Sequence, residues 1–170
     1  LNTRLDAATI AFSLSHAEAR ILIVDKEFSK LAKDALALMT TSHPVVIDYV
    51  DPEYAVDGDR VGSIDYEAFV SAGDPGFAWA WPADEWDAIS LNYTRRTTGT
   101  PTGPHYHPPR APLLAQGNVL TASMPKHPVY LWTLPMFHCN GWCFPWSLSV
   151  VGGTHVTLRW VRSNLIWEAL

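Results

Sequence analysis

The stretch "ARILIVDKEFSKLAKDALALMTTSHPVVIDYV", residues 19–50, decides the fold class. Its first seven residues are a short apolar run ending in Asp25, the pattern of a strand buried on both faces of a parallel sheet. Residues 26–39 then place Phe28, Leu31, Ala35 and Leu38 on one side of a helix. A second buried-strand run, "PVVIDYV" (44–50), follows. Strand, helix and strand in that order form a crossover unit, the connection that parallel strands require.

The same alternation continues in both directions. Upstream, Thr3 and Asp6 suit a helix start, and Leu5, Ala8, Ile10, Phe12 and Leu14 keep helical spacing to about Ala17. Downstream, residues 51–63 read as loop and 65–73 as a short helix stopped by Gly73. After a Trp-rich loop come a strand (87–94), a helix (113–124), a strand (129–138), a buried helix closed by two glycines (141–153) and a strand (154–161). The expectation is an α/β fold with a largely parallel sheet, in which ligands bind at the carboxyl ends of strands. Residues 94–103 and 135–142 both fall at such ends. No internal repeat or low-complexity segment interrupts the pattern.

Composition narrows the function classes. The 170 residues are 48% hydrophobic and 17% charged, values of a globular domain with a real core. A net charge of −5 without a basic block argues against nucleic acid as the main partner. No apolar run reaches the ~20 residues of a membrane span, and no signal peptide is evident, so the cytoplasm is the expected compartment. Eight tryptophans, six of them clustered at 79–86 and 132–146, imply a filled core or an apolar pocket. The chain opens "LNTRLDAATIAF" without a methionine and closes "SNLIWEAL" in a helical pattern, which predicts a piece of a longer protein.

The chemistry concentrates in two places. "TRRTTGTPTG" (94–103) supplies hydroxyls at Thr94, Thr97, Thr98, Thr100 and Thr102 and glycines at Gly99 and Gly103, the materials of a phosphate loop. By spacing alone such a turn is more often only a polar turn. It is not G-x-x-x-x-G-K-[ST], and neither G-x-S-x-G nor H-E-x-x-H occurs, which disfavours Walker NTPases, hydrolases of the nucleophile-elbow type and zinc proteases. Cys139 and Cys143 with His138 lack the second ligand pair that structural zinc requires, so no metal site is expected among them and the cysteines read as small core residues. Asp25, Asp48 and Asp51 read as strand ends or caps rather than an acid–base pair.

"DAISLNYTRRTTGTPTG" resembles the adenylate-forming, AMP-binding acyl-CoA synthetase family, whose loop [YF]-T-S-G-T-T-G-x-P-K-G follows a strand. Tyr93, Thr94, Thr97, Thr98, Gly99, Pro101 and Gly103 match; Arg95, Arg96 and Thr102 replace serine, glycine and lysine. "LNTRLDAATIAFSLSHAEARILIVDKEF" and "VYLWTLPMFHCNGWCFPWSLSVVGGTHVTLRWV" extend the resemblance over nearly the whole chain, toward the short- and medium-chain branch that includes methylmercaptopropionate-CoA ligases and plant peroxisomal acyl-activating enzymes.

The resemblance implies that residues 1–170 are part of the large N-terminal domain of such an enzyme, which joins a small carboxylic acid to coenzyme A through an acyl-adenylate. It implies ATP phosphates at Thr94, Arg95, Arg96, Thr97, Thr98, Gly99, Thr102 and Gly103, and an acyl pocket shaped by His138, Asn140, Gly141 and Trp142. It also implies Mg²⁺ held by an acidic residue in the remainder of the full-length chain, along with a ribose-binding aspartate and a catalytic lysine beyond these 170 residues. A eukaryotic relative of this kind could be peroxisomal.

The departures have physical weight. Loss of the loop lysine removes a compact charge contact, an effect of about 2–4 kcal/mol on a phosphoryl transition state. Arg95 and Arg96 restore charge on a larger, differently aimed group, and a side chain at 96 hinders close backbone approach. Pro104 lacks a ladder donor where the family continues as a strand, and Pro108, Pro109 and Pro112 fall where it begins a helix. The alternative is therefore a non-catalytic relative that keeps the acyl pocket and has lost ATP.

Overall fold

The Asp6 carboxylate opens the first helix by accepting from the Thr9 N–H at 2.7 Å. This is an N-cap, which satisfies one of the donors that a helix start leaves over. Helix α1 (Ala7–His16) buries Ile10, Ala11, Ser13 and Leu14, and strand β1 (Ile21–Asp25) follows. The computed structural model describes the chain except at residues 55, 85, 89, 92, 94–104, 107–109 and 139–142, with the backbone alone at 105, 106, 110 and 111. The chain divides into two compact units, Leu1–Ala80 and Trp81–Leu170.

In the first unit Asp25 ends β1 and caps a single 3₁₀ turn (Lys26–Phe28), which runs into helix α2 (Ser29–Leu38). The two helices share a core of Ile10, Ala11, Leu14, Ala35 and Met39, with Leu5, Leu22, Leu31 and Leu36 packed against it. The buried face of α2 is thus Ser29, Ala32 and Ala35, rotated from the expected stripe, and Leu38 is exposed. Ala35 is the fully buried α2 residue of that core, whereas Ala32 is buried outside it.

Strand β2 (Val45–Tyr49) pairs parallel with β1 from Ile21↔Val45 to Asp25↔Tyr49. The short strand β3 (Ile64–Asp65) extends the sheet in parallel on the far side of β2 and leads into helix α3 (Tyr66–Ser71), capped by Asp65. The segment between β2 and β3 is loop, as expected, and buried Asp48 secures its return by accepting from the Val61 and Gly62 N–H groups at 3.0 and 3.1 Å. A Cβ at Gly62 would lie 2.1 Å from the Val46 carbonyl oxygen, so this crossing admits only glycine.

The second unit contains strands β4 (Ser90–Leu91) and β5 (His105–Tyr106), helix α4 (Arg110–Thr121), strand β6 (Val129–Trp132), helix α5 (Phe144–Val150), strand β7 (Thr154–Thr157) and helix α6 (Ser163–Ala169). Helix α6 falls where a helical pattern was expected, whereas α4, β6 and β7 differ from expectation in their bounds. Helix α4 starts three residues early because Pro112 sits in its first turn, where no N–H is needed. The strand expected over 129–138 stops at Trp132, since Pro135 has no ladder donor and Met136–His138 form a turn. Strand β7 is likewise shorter than 154–161.

Strands β6 and β7 are parallel with α5 between them, a second crossover unit, whereas β4 and β5 are antiparallel. Helix α5 docks on α4, where the Ser147 hydroxyl lies 3.1 Å from the Ala115 carbonyl and 3.0 Å from that of Cys143. The expectation that tryptophans fill a core or a pocket holds at Trp132, which is buried. It fails at Trp79 and Trp81, which are 85% and 89% exposed.

Candidate active site

Residues 92–104 connect Leu91 to His105, which pair across the antiparallel β4–β5 ladder. The expected phosphate-binding residues Thr94, Arg95, Arg96, Thr97, Thr98, Gly99, Thr102 and Gly103 all belong to this connection and lie outside the described residues. Tyr93, which opens the motif, is half-buried, and burial pushes its phenol up from its ordinary value, keeping it a neutral donor.

The second stretch follows β6. In a parallel sheet the carboxyl end of a strand faces an open crevice, and residues 133–143 form the connection from that end into α5. His138 is exposed in a turn, with its N–H donating to the Pro135 carbonyl at 3.2 Å. It therefore sits beyond the strand rather than on it. Asn140, Gly141 and Trp142, the other expected pocket residues, and Cys139 lie outside the described residues.

Cys143 closes the connection in the left-handed conformation, φ 64°, as N-cap of α5, and Pro145 occupies that helix's first turn. The thiol is buried, which pushes its pKa up and leaves it a neutral core group. Among the described residues no three His, Cys, Asp or Glu side chains gather as metal ligands. Asp25, Asp48 and Asp51 each accept backbone N–H groups, from Glu27, from Val61 and Gly62, and from Glu53; Asp25 ends its strand and caps the next turn as expected, whereas Asp48 lies inside β2 and anchors a distant loop.

Sequence reasoning missed the aromatic group beneath the second stretch. Tyr130 and Trp132 alternate onto one face of β6, and His155 and Thr157 share that face through the ladder. The period-2 spacing of Tyr130 and Trp132 was legible; the register that brings His155 to them was not, because parallel pairing is set by the whole crossover.

An α/β crossover sheet with ligand-type segments at strand ends is the general form of a nucleotide- or carboxylate-handling enzyme domain. The chain belongs to the AMP-binding enzyme family, whose model matches residues 1–170. It is 44% identical to an acetate/butyrate–CoA ligase of Arabidopsis thaliana, described as peroxisomal, over all of this chain and 32% of that protein. It is 40% identical to an acetate–CoA ligase of Humulus lupulus, again over all of this chain and 32% of the relative. The chain thus spans about a third of the length of the curated relatives it matches. Among solved structures, the o-succinylbenzoate coenzyme A synthetase of Bacillus subtilis, in complex with ATP and magnesium ion, superposes with a TM-score of 0.71. That match has 19% identity and covers 99% of this chain and 30% of that one, a likeness of fold.

Proposed function

We propose that this chain is part of the large N-terminal domain of an ATP-dependent acyl-CoA synthetase, which converts a small carboxylic acid to its acyl-adenylate and then to acyl-CoA. The observation that carries this reading is the family match along the whole chain. Residues 94–103 serve the ATP phosphates: hydroxyls at Thr94, Thr97, Thr98 and Thr102 and glycines at Gly99 and Gly103 provide polar contacts and close approach, and Arg95 and Arg96 provide charge. His138, Asn140, Gly141 and Trp142 border the acyl group. ATP supplies the leaving pyrophosphate, and its Mg²⁺ is held by residues outside these 170, which do not complete the site by themselves. Relatives named as acetate and butyrate ligases favour a short acid, and the peroxisomal description of one of them makes the peroxisome an alternative to the cytoplasm. Among the described residues no helix is long and apolar enough to cross a membrane.

The replacements at Arg95, Arg96 and Thr102 favour a second reading, an acyl-binding relative without ATP turnover. Pyrophosphate release by the full-length protein, given ATP, Mg²⁺ and acetate or butyrate, separates the two. Release supports the synthetase. Its absence, with no rescue by Arg95→Ser, Arg96→Gly and Thr102→Lys together, sinks that reading.

A further inference from the structure

The entry to the 133–143 connection is held by side chains that lie outside it. Trp132, the last residue of β6, is buried, and its indole N–H donates to His155 Nδ1 at 3.0 Å. The two ring planes are nearly parallel, 7° apart with centroids at 5.9 Å, so the hydrogen bond and the ring contact fix the pair together. An indole nitrogen can only donate, so Nδ1 is the acceptor nitrogen of a neutral imidazole whose proton sits on Nε2. Tyr130 meets the Trp132 ring edge-on at 5.0 Å and the Phe144 ring at 5.2 Å. Phe144 is the first residue of α5, so the residues flanking the connection both rest on Tyr130.

From this arrangement, and resting on the synthetase reading above, we propose that His155 is a positioning residue for the acyl site. Its Nδ1 selects one orientation of the Trp132 indole and so sets the course of residues 133–138, which carry His138. Trp132 is buried whereas His155 is exposed, so without Nδ1 the indole N–H must turn toward solvent or another acceptor. The strand end turns with it. His155 stands on β7, outside both ligand stretches, so its effect falls on the carboxylate and not on ATP.

The experiment compares His155→Leu, which removes the acceptor at similar volume, with His155→Asn, whose amide oxygen can stand in for Nδ1, in the full-length protein. In the Leu variant the KM for butyrate rises about three- to tenfold, the effect of one lost hydrogen bond, while kcat and the KM for ATP stay within about twofold. The Asn variant returns most of the loss. In ¹H–¹⁵N spectra the Trp132 indole resonance moves upfield in the Leu variant and stays near its wild-type position in the Asn variant. An unchanged KM for butyrate in the Leu variant overturns the proposal, as does an equal rise in both KM values or an Asn variant that behaves like Leu. If the wild type releases no pyrophosphate, the synthetase reading fails separately, and calorimetric titration with butyrate decides between the same variants. Equal affinities then overturn the proposal, as does a wild type that binds no butyrate, whereas weaker binding by the Leu variant alone supports it.

Discussion

Asp48 carries more of the local structure than its place in an apolar strand suggests. It is buried and accepts from two backbone N–H groups of the loop returning from β2. Asp48→Ala strands both donors and costs about 2–3 kcal/mol of stability, whereas Asp48→Asn keeps one acceptor oxygen and costs less. Chemical denaturation of the full-length protein checks this, and a loss under about 0.5 kcal/mol for Ala removes the anchoring role. Cys143 makes a second prediction at this scale. Burial raises its thiol above the ordinary value of 9.0, so folding favours the protonated form. The stability this contributes is present in full below that ordinary value and is lost as pH rises through the raised one. In the native protein at pH near 8, iodoacetamide leaves Cys143 unlabelled while urea-unfolded protein is labelled, as read by mass spectrometry of its peptide. Labelling at the free-thiol rate in the native state contradicts the buried assignment. The roles of Asp25 and Asp51 were legible from sequence, because a carboxylate after an apolar run meets the free N–H groups of the next turn, whereas Asp48 lies inside β2 and its anchoring of a distant loop was not.

At the scale of elements, the contacts between helices are polar as well as apolar. Ser147 on α5 is fully buried and its hydroxyl reaches the Ala115 carbonyl of α4. Ser147→Ala costs about 1 kcal/mol, and Ser147→Val costs more because there is no room for a second branch. Thermal unfolding of the two variants should rank them in that order, and a Val variant as stable as wild type would mean that α4 and α5 do not pack as described. The helices of the first unit and its strands β1 and β2 were legible because their hydrophobic periods are unmixed, whereas the two-residue β3 was not expected. The end of β6 was not, because "VYLWTLPMFH" is apolar throughout and only Pro135 marks where pairing stops. The face of α2 was misjudged for a related reason. A stripe of Leu and Ala satisfies helical spacing in two rotations, and the partner helix decides between them.

At the scale of the whole molecule, family membership and the sequence departures at residues 95, 96 and 102 pull in different directions. The flanking elements keep the pattern of acyl-CoA ligases, while Arg95, Arg96 and Thr102 depart from it within a single connection. Restoring serine, glycine and lysine there raises pyrophosphate release by the full-length protein about 30- to 1000-fold, the range of one charge contact at a transition state. A restored protein no faster than wild type would place the defect elsewhere. Ile21, Ile23 and Val45 leave one side of the β1–β2 ladder exposed, although parallel sheets are ordinarily covered on both faces. The sequence by itself determined the α/β class, the crossover order, the caps and the family, because each is written in short-range period or in contiguous motif. Only the tertiary structure decided the antiparallel return of β5 against β4, the rotation of α2 and the meeting of Trp132 with His155. Those depend on which surfaces pack across long separations in the chain, where neighbouring residues carry no record of the partner.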